Sequence, residues 1–177
     1  MWAAREVLDG KGEIDRRDKM GQFNMGTVLA RILALDLGQR RIGMAVSDPL
    51  RLSAQGLETL QRRSLGQDLA ALAALAAHYQ SGLWLLGLPR HMSGEEGVQA
   101  KAARQFGAAL GRRTGLAVEF WDERLTSVEA NRVLRTADAS LDQRRKAVDR
   151  MAAVILLQSY LDRAAAVGIN PPGIVDS

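Results

Sequence analysis

Runs of apolar residues separated by short turns begin abruptly at residue 30, and they predict the first elements of an ordered domain. Residues 31–38 and 41–47 are apolar enough to form buried strands, and the short Gly-Gln-Arg turn between them predicts a β-hairpin. A third, weaker strand is predicted within residues 54–60. The chain therefore opens its ordered part with an antiparallel sheet.

Helical periodicity then alternates with short apolar runs. Leu and Ala recur at helical spacing over residues 65–80, and the apolar run 83–88 that follows ends at Pro89, as is typical of a buried strand. Ser93 has an acid three positions later, which predicts a helix that begins there and continues to about Arg113, where Gly115 stops it. The remaining predicted elements are a strand over 117–121, a short helix over 127–135 and a long helix over 145–165.

The order of elements, β-β-β-α-β-α-β-α-α, predicts an α/β fold. Three antiparallel strands are followed by parallel crossovers, which gives one mixed central sheet with helices on its faces. Residues 1–29 are polar, mixed in charge and without apolar periodicity, so we expect a disordered extension, with Met20 or Met25 as a possible initiator. Residues 30–166 are the predicted domain, and 167–177 a flexible tail.

Composition narrows the chemistry that this domain could perform. The 177 residues are 47% hydrophobic and 25% charged, which fits one globular domain. The absence of cysteine excludes disulfides, a thiol nucleophile and thiolate metal sites, and only His78 and His91 supply imidazole. No apolar stretch reaches the roughly 18 residues of a membrane span, and the first residues lack the apolar core of a secretory signal, so we expect a cytoplasmic protein.

The charge points to nucleic acid as a partner. The net charge is +4, and residues 1–29 hold five basic and five acidic residues, so the whole excess lies in residues 30–177. Seventeen arginines and two lysines carry it there. The planar guanidinium suits bidentate contacts to phosphate, although genomic composition alone could produce the same preference for arginine.

Asp36 interrupts an apolar strand, between Leu35 and Leu37. A buried carboxylate costs several kcal/mol unless it is paired, hydrogen-bonded or bound to a cation. One interpretation is a structural acid neutralised by Arg40 or Arg41. The nearby glycines, Gly38 and Gly43, would let a backbone or a ligand approach closely, which favours a functional role.

Two further acidic points follow in the chain. Asp122-Glu123-Arg124 stands at the carboxyl end of a predicted strand, where ligand sites of α/β sheets gather, although taken alone the three residues would fit better a solvated strand end with a local ion pair. Neighbouring strand residues face opposite ways, so one of Asp122 and Glu123 is expected to face Asp36. Asp149 shares a helical stripe with apolar residues; alternatively, it is a first-turn acid that complements the helix dipole.

Three separated carboxylates that converge on one sheet edge predict an oxygen-ligand site for Mg²⁺ or Mn²⁺. Two such cations could activate water and stabilise the leaving oxygen during phosphodiester hydrolysis, which would make the protein a nuclease. The loop after Pro89 follows a strand and precedes a helix, so Arg90 and the helix amides could receive a phosphate. His91 in the same loop is either solvated or functional.

Several blocks of this sequence, in this order, resemble the YqgF/RuvX family. The blocks are Ile32–Gly38, Arg41–Asp48, Gly87–Pro89, Asp122–Thr126 with Val128–Ala130, and Lys146–Asp149 with Ala152–Ala153 and Leu156–Gln158. Together they extend over about residues 30–163. The resemblance implies an RNase H-like fold, kinship with Holliday-junction resolvases, and a nuclease role in maturing the 5′ end of pre-16S rRNA.

The resemblance also implies roles for individual residues. The acidic positions of the family match Asp36, the Asp122-Glu123 pair and Asp149, and of the pair Glu123 is favoured as the metal ligand. Arg41 matches the basic residue that follows the first strand in the family, and Arg124 and Thr126 match the rest of its acidic block; we expect all three to contact nucleic acid. Gln39-Arg40 replaces the commoner Thr-Lys, which keeps a cation at Arg40, and residues 91–94 depart from the usual Asn-Met-Asp-Gly, so substrate contacts of that loop are expected to differ.

Three functions therefore compete. The first is a divalent-metal-dependent nuclease acting on structured RNA or on branched DNA; cutting a junction symmetrically would require two sites, hence a homodimer, whereas trimming an RNA end would not. The second is an ATPase of the actin/Hsp70-like class, although 177 residues supply only one of its two lobes and no P-loop is present. The third is a nucleic-acid-binding module whose acids are purely structural.

Overall fold

The structure, a computed structural model, describes residues 29–89, 97–122 and 141–168. Within these ranges the strands are β1 (Arg31–Leu37), β2 (Arg41–Ser47), β3 (Ala54–Gly56), β4 (Leu60–Gln61), β5 (Ser81–Leu88) and β6 (Ala117–Asp122). The helices are α1 (Leu65–Tyr79), α2 (Val98–Thr114) and α3 (Leu141–Val167). The α/β fold class is confirmed.

All of these strands belong to one mixed sheet, in the order β3-β2-β1-β5-β6, with β4 also paired to β2. β2 runs antiparallel to β1, β3 and β4, whereas β1 and β5, and β5 and β6, are parallel. The predicted hairpin and the change from antiparallel to parallel pairing are both confirmed. Because β1, β5 and β6 are parallel, their carboxyl ends lie at the same edge of the sheet.

The predicted strand over 54–60 is two short strands instead of one. β3 and β4 both pair with β2, and between them the Leu57 amide donates to the Met44 carbonyl at 2.8 Å. Residues 57–59 interrupt this edge strand, and the periodicity of the sequence gives no sign of the interruption.

Helix α2 begins later than predicted. Gly97 occupies its N-cap position without a side-chain cap, so the expected start at Ser93 is wrong, and residues 93–96 lie outside the described ranges. The register of this helix follows from packing, since Ala100, Ala103 and Phe106 are buried on its inner face. Its end is as predicted: Gly115 has φ 73°, a left-handed conformation that glycine adopts without strain, and its amide donates to the Gly111 carbonyl at 2.8 Å.

The sheet has a hydrophobic core on each face. Alternate residues of β1 separate the two cores: Leu33 and Leu35 pack under α1 and α2, whereas Ile32 and Ala34 pack under α3. The two strand tryptophans follow the same division and are core residues, as predicted; Trp84 is fully buried with the α1/α2 core, and Trp121 packs against the α3 core.

Helix α3 places a buried stripe on the sheet, as the sequence predicts. Ala153, Leu156 and Tyr160 are buried, and Asp149 precedes them on the same stripe. The helix begins at Leu141, however, more than two turns before Asp149. The interpretation of Asp149 as a first-turn acid that complements the helix dipole is therefore wrong.

Some predictions fall on residues that the structure does not describe. They include nearly all of the expected 1–29 extension, the short helix over 127–135 and the tail beyond Gly168, so the domain boundaries remain predictions. Over the described ranges, none of the helices combines the length and apolar character that crossing a membrane requires.

Candidate active site

Asp36 lies near the carboxyl end of β1, where it pairs with Gly43 of β2. Its carboxylate has neither a hydrogen bond nor an ion pair among the residues that the structure describes, although the residue is half-buried. Burial raises the pKa of this carboxyl to about 6, and the negative charge of Asp149 contributes to the same shift. The alternative in which Arg40 or Arg41 neutralises Asp36 therefore does not hold.

Gly43 explains how Asp149 comes near Asp36. A Cβ atom at Gly43 would overlap the backbone carbonyl oxygen of Asp149 and lie 2.7 Å from its carbonyl carbon. Only the absence of a side chain lets the backbone of α3 rest directly on β2 at this point. Since Gly43 is the cross-strand partner of Asp36, this contact brings the two carboxylates to one place. The close approach that the sequence suggested is confirmed, and the approaching element is α3.

Arg41 forms an ion pair with Asp149, the second acid of the site. Its Nε donates to Oδ2 of Asp149 at 2.8 Å, and both side chains are largely shielded from solvent. Arg41 is the first residue of β2, two positions before Gly43, so the same strand that admits the α3 backbone also orients its carboxylate. Arg40 in the preceding turn is exposed, which leaves its guanidinium accessible to a ligand.

The register of Asp122 places it on the face of the sheet that packs against α1 and α2. It pairs with Leu88 at the end of β6, two residues after Phe120, and Phe120 packs against the α1/α2 core. Leu35 is aligned with Phe120 through β5, so these two residues share a face of the sheet. Asp36 follows Leu35 directly and therefore has the register of the opposite face. The alternation of side chains therefore does not favour Asp122 as the partner of Asp36.

A cleft of about 350 Å³ opens beside Asp36 on the α1/α2 side of the sheet. Its walls include Arg62, which sequence reasoning missed. Arg62 follows β4, and its amide donates to the Arg40 carbonyl at 3.0 Å, so the pairing of β4 with β2 places it beside the turn after β1. Two-residue strands leave no periodic signal, and no sequence feature could have located Arg62 there.

Comparison with known proteins adds to this geometry. The family model described as "RuvX: Holliday junction resolvase" matches residues 30–163, three quarters of the chain. The chain belongs to the RuvX family. The resemblance inferred from the sequence blocks is thereby confirmed.

Relatives of this RuvX chain are similar along most of their length. A protein of Symbiobacterium thermophilum is 51% identical over 142 residues, which cover 80% of this chain and 96% of the relative. A protein of Moorella thermoacetica is 50% identical over 139 residues, with 78% and 99% covered. Both are provisionally named pre-16S rRNA nuclease.

The fold of the RuvX chain is that of the RuvC resolvases. The structure titled "T. thermophilus RuvC in complex with Holliday junction substrate" superposes with a TM-score of 0.53, covering 81% of this chain and 99% of that one. The sequences are only 13% identical, so the likeness concerns the fold. The predicted RNase H-like architecture, which the RuvX resemblance implied, is confirmed.

The structure brings together two of the three acids expected in the RuvX site. Asp36 and Asp149 converge, and the described part of the chain contains no cluster of three or more metal-binding side chains. Several predicted site residues lie outside the described residues and remain predictions: Glu123, Arg90, His91, Arg124 and Thr126.

The ion pair of Arg41 with Asp149 gives a first testable prediction. Replacing Arg41 with Ala is expected to lower the free energy of unfolding by about 1–2 kcal/mol, because Asp149 loses its charged partner while it remains near Asp36. Urea unfolding of metal-free protein measures the change. Arg40→Ala is the matched control, with an expected change within about 0.5 kcal/mol because Arg40 is exposed. Equal unfolding of the two variants would contradict this account of the pair.

Proposed function

We propose that this RuvX protein is a divalent-metal-dependent nuclease that hydrolyses phosphodiester bonds of structured RNA and processes the 5′ end of pre-16S rRNA during ribosome biogenesis. The observation that supports it most directly is the juxtaposition of Asp36 and Asp149. A fold that brings two carboxylates together, with one of them lacking a partner in the described residues, carries an electrostatic cost that a bound cation would offset. The name shared by the relatives supports RNA as the substrate.

The donor set suits a hard divalent cation. Asp36 and Asp149 offer carboxylate oxygens, which Mg²⁺ and Mn²⁺ prefer, and the chain contains no cysteine. Glu123 is the proposed third ligand, because it is the acid that the family resemblance favours and because the register of Asp122 places that residue on the face opposite Asp36. When bound, a pair of such cations would neutralise charge on the reacting phosphate and lower the pKa of the attacking water.

The protein's own groups would orient this chemistry and hold the substrate. Arg41 fixes the Asp149 carboxylate, and Asp36 stays ionised at neutral pH because its pKa of about 6 lies below the pH. The residues proposed to contact nucleic acid are Arg40, Arg41, Arg90, His91, Arg124 and Thr126. Contacts from arginine to phosphate make binding depend on salt concentration.

Cleavage of four-way DNA junctions is the second candidate function, because the matching family model is described as a Holliday junction resolvase. Symmetric junction cleavage needs two active sites, so this function would require a homodimer. Processing one RNA end needs a single site, and a monomer would suffice for it. Family membership favours both over an ATPase.

Incubation of the purified protein with pre-16S rRNA fragments and with four-way junctions, in Mg²⁺, Mn²⁺ or EDTA, tests the proposal. We expect RNA cleavage in either metal and none in EDTA, because carboxylates alone cannot neutralise the charge that develops on the phosphate. Preferential cleavage of junctions would establish the resolvase alternative. Cleavage that persists in EDTA, or binding without cleavage under every condition, would reject a metal-dependent nuclease.

A further inference from the structure

We call the cleft beside Asp36 the Arg62 cleft. Its volume of about 350 Å³ lies near the lower end of the range for small-molecule sites, about 300–1,000 Å³. Polar and apolar groups contribute about equally to its lining. The residues that line it are Asp36, Leu37, Gly38, Gln39, Arg62, Gly87, Pro89, Gln99, Ala102, Ala103 and Phe106. Because Asp36 is among the lining residues, a molecule held in the cleft would lie at the end of β1, the strand that carries the candidate catalytic residue.

Arg62 is fixed in place before any ligand binds. Its Nη1 donates to the Gly38 carbonyl at 3.0 Å, and its Nε lies 3.5 Å from Oδ2 of the buried Asp68. Its guanidinium carbon stands 5.5 Å from the centroid of the Phe106 ring. Two contacts and an aromatic neighbour hold the planar group against the cleft, so little conformational entropy remains to be lost on binding.

The chemistry of these walls matches a nucleobase better than a phosphate. A flat heterocycle can stack on a guanidinium plane or an aromatic ring while apolar side chains cover its edges. The amides of Gln39 and Gln99 can donate to and accept from the polar edge of a base. A phosphate would gain nothing from Leu37, Ala103 and Phe106.

We propose that the Arg62 cleft receives one unpaired base of the substrate strand, adjacent to the phosphodiester that is cut. The inference rests on the proposed nuclease function and specifies its substrate: a strand that is unpaired at the cleavage site. A base inside a duplex is stacked and paired, so it would have to leave the helix to enter the cleft. The preference for unpaired strand would then arise in binding, before any chemistry.

Filling the cleft tests the proposal. Ala102 is an exposed residue of α2 that lines the cleft, and Ala108 is an exposed residue of the same helix outside the lining, so Ala102→Leu and Ala108→Leu make the same change in and away from the site. Fluorescence anisotropy with a labelled single-stranded RNA in EDTA measures binding without cleavage. We expect Ala102→Leu to weaken binding about tenfold and Ala108→Leu to leave it unchanged. Binding of the same strand in a duplex should respond to neither change.

A second measurement uses RNA strands that each lack the base at one position. With the wild-type protein, we expect one position at which base loss weakens binding about tenfold. Ala102→Leu should abolish that sensitivity. Uniform affinity along the set, sensitivity retained in Ala102→Leu, or failure of the wild type to bind single-stranded RNA would each overturn the cleft assignment. Base-dependent binding without cleavage in any metal would instead leave the cleft assignment intact and reject the nuclease proposal.

Discussion

Replacing Asp36 with Asn is expected to abolish cleavage while making the metal-free protein more stable. The loss of activity should be at least about a thousandfold, because a neutral amide is a poor ligand for the cation that stabilises the reacting phosphate by several kcal/mol. The gain in stability follows from the pKa of about 6 in the folded protein. Relative to a value near 3.9 in the unfolded chain, ionised Asp36 costs about 2–3 kcal/mol at neutral pH, part of which the buried amide of the variant would retain.

The stability gain has a definite pH dependence. Because the folded-state pKa is raised, the folded protein binds a proton more tightly than the unfolded chain between about pH 4 and pH 6. The destabilisation by Asp36 is therefore complete above about pH 6, declines as the pH falls through this window, and is absent below about pH 4. Urea unfolding in EDTA at several pH values should show the Asp36→Asn variant more stable than the wild type by about 1–2 kcal/mol at about pH 8, with no such gain at about pH 4.

Asp162→Asn is the matched control for both readouts. Asp162 is an exposed carboxylate of α3 that accepts a hydrogen bond from Gln158 at 2.8 Å, away from the site. We expect its replacement to change stability by no more than about 0.5 kcal/mol and to preserve cleavage. Wild-type cleavage by the Asp36→Asn variant would refute the role of Asp36, and loss of stability in that variant at about pH 8 would contradict its electrostatic description.

Gly43→Ala is expected to damage both the fold and the activity. The added methyl group would overlap the backbone of Asp149, so α3 would have to move away from β2, at a cost of about 3 kcal/mol or more. The movement would also separate Asp149 from Asp36 and thereby reduce cleavage. Thermal unfolding and cleavage measured well below the unfolding midpoint of the variant would separate the two effects.

Gly66→Ala provides the comparison for Gly43→Ala. Gly66 lies in α1 with nothing within 4 Å of a Cβ atom placed there. Alanine is favoured over glycine within a helix, so we expect this variant to be more stable by up to about 1 kcal/mol and to retain activity. If Gly43→Ala resembled Gly66→Ala, the direct contact between α3 and β2 would not be what positions Asp149.

The local pattern of the sequence was sufficient to predict the sheet and two of its acids. Asp36 is conspicuous because a carboxylate interrupts an apolar strand, and Asp149 because it extends the stripe that ends at Tyr160. The same reasoning also noted Gly43 as a point of close approach. In each case a single residue violates, or extends, the period of its own element.

The features that the sequence predicts wrongly, or does not predict at all, depend on contacts between distant parts of the chain. The start of α3 at Leu141 precedes the apolar pattern that begins near residue 147, and the position of Arg62 depends on a two-residue strand that pairs with β2. The capping sequence at Ser93 predicts an earlier start for α2 than the N-cap at Gly97, from which the helix packs on the sheet. Tertiary contacts decide these boundaries, and local propensity does not contain them.

The division of the sheet into two cores has an evolutionary consequence. The paired acids, Gly43 and α3 belong to one face, whereas α2 contributes one wall of the Arg62 cleft on the other, and the end of β1 belongs to both. Under the proposed function, substitutions on α2 would alter which nucleic acid is recognised without repacking the carboxylates proposed to take part in cleavage. Such modularity would allow a lineage to keep one reaction while exchanging substrates.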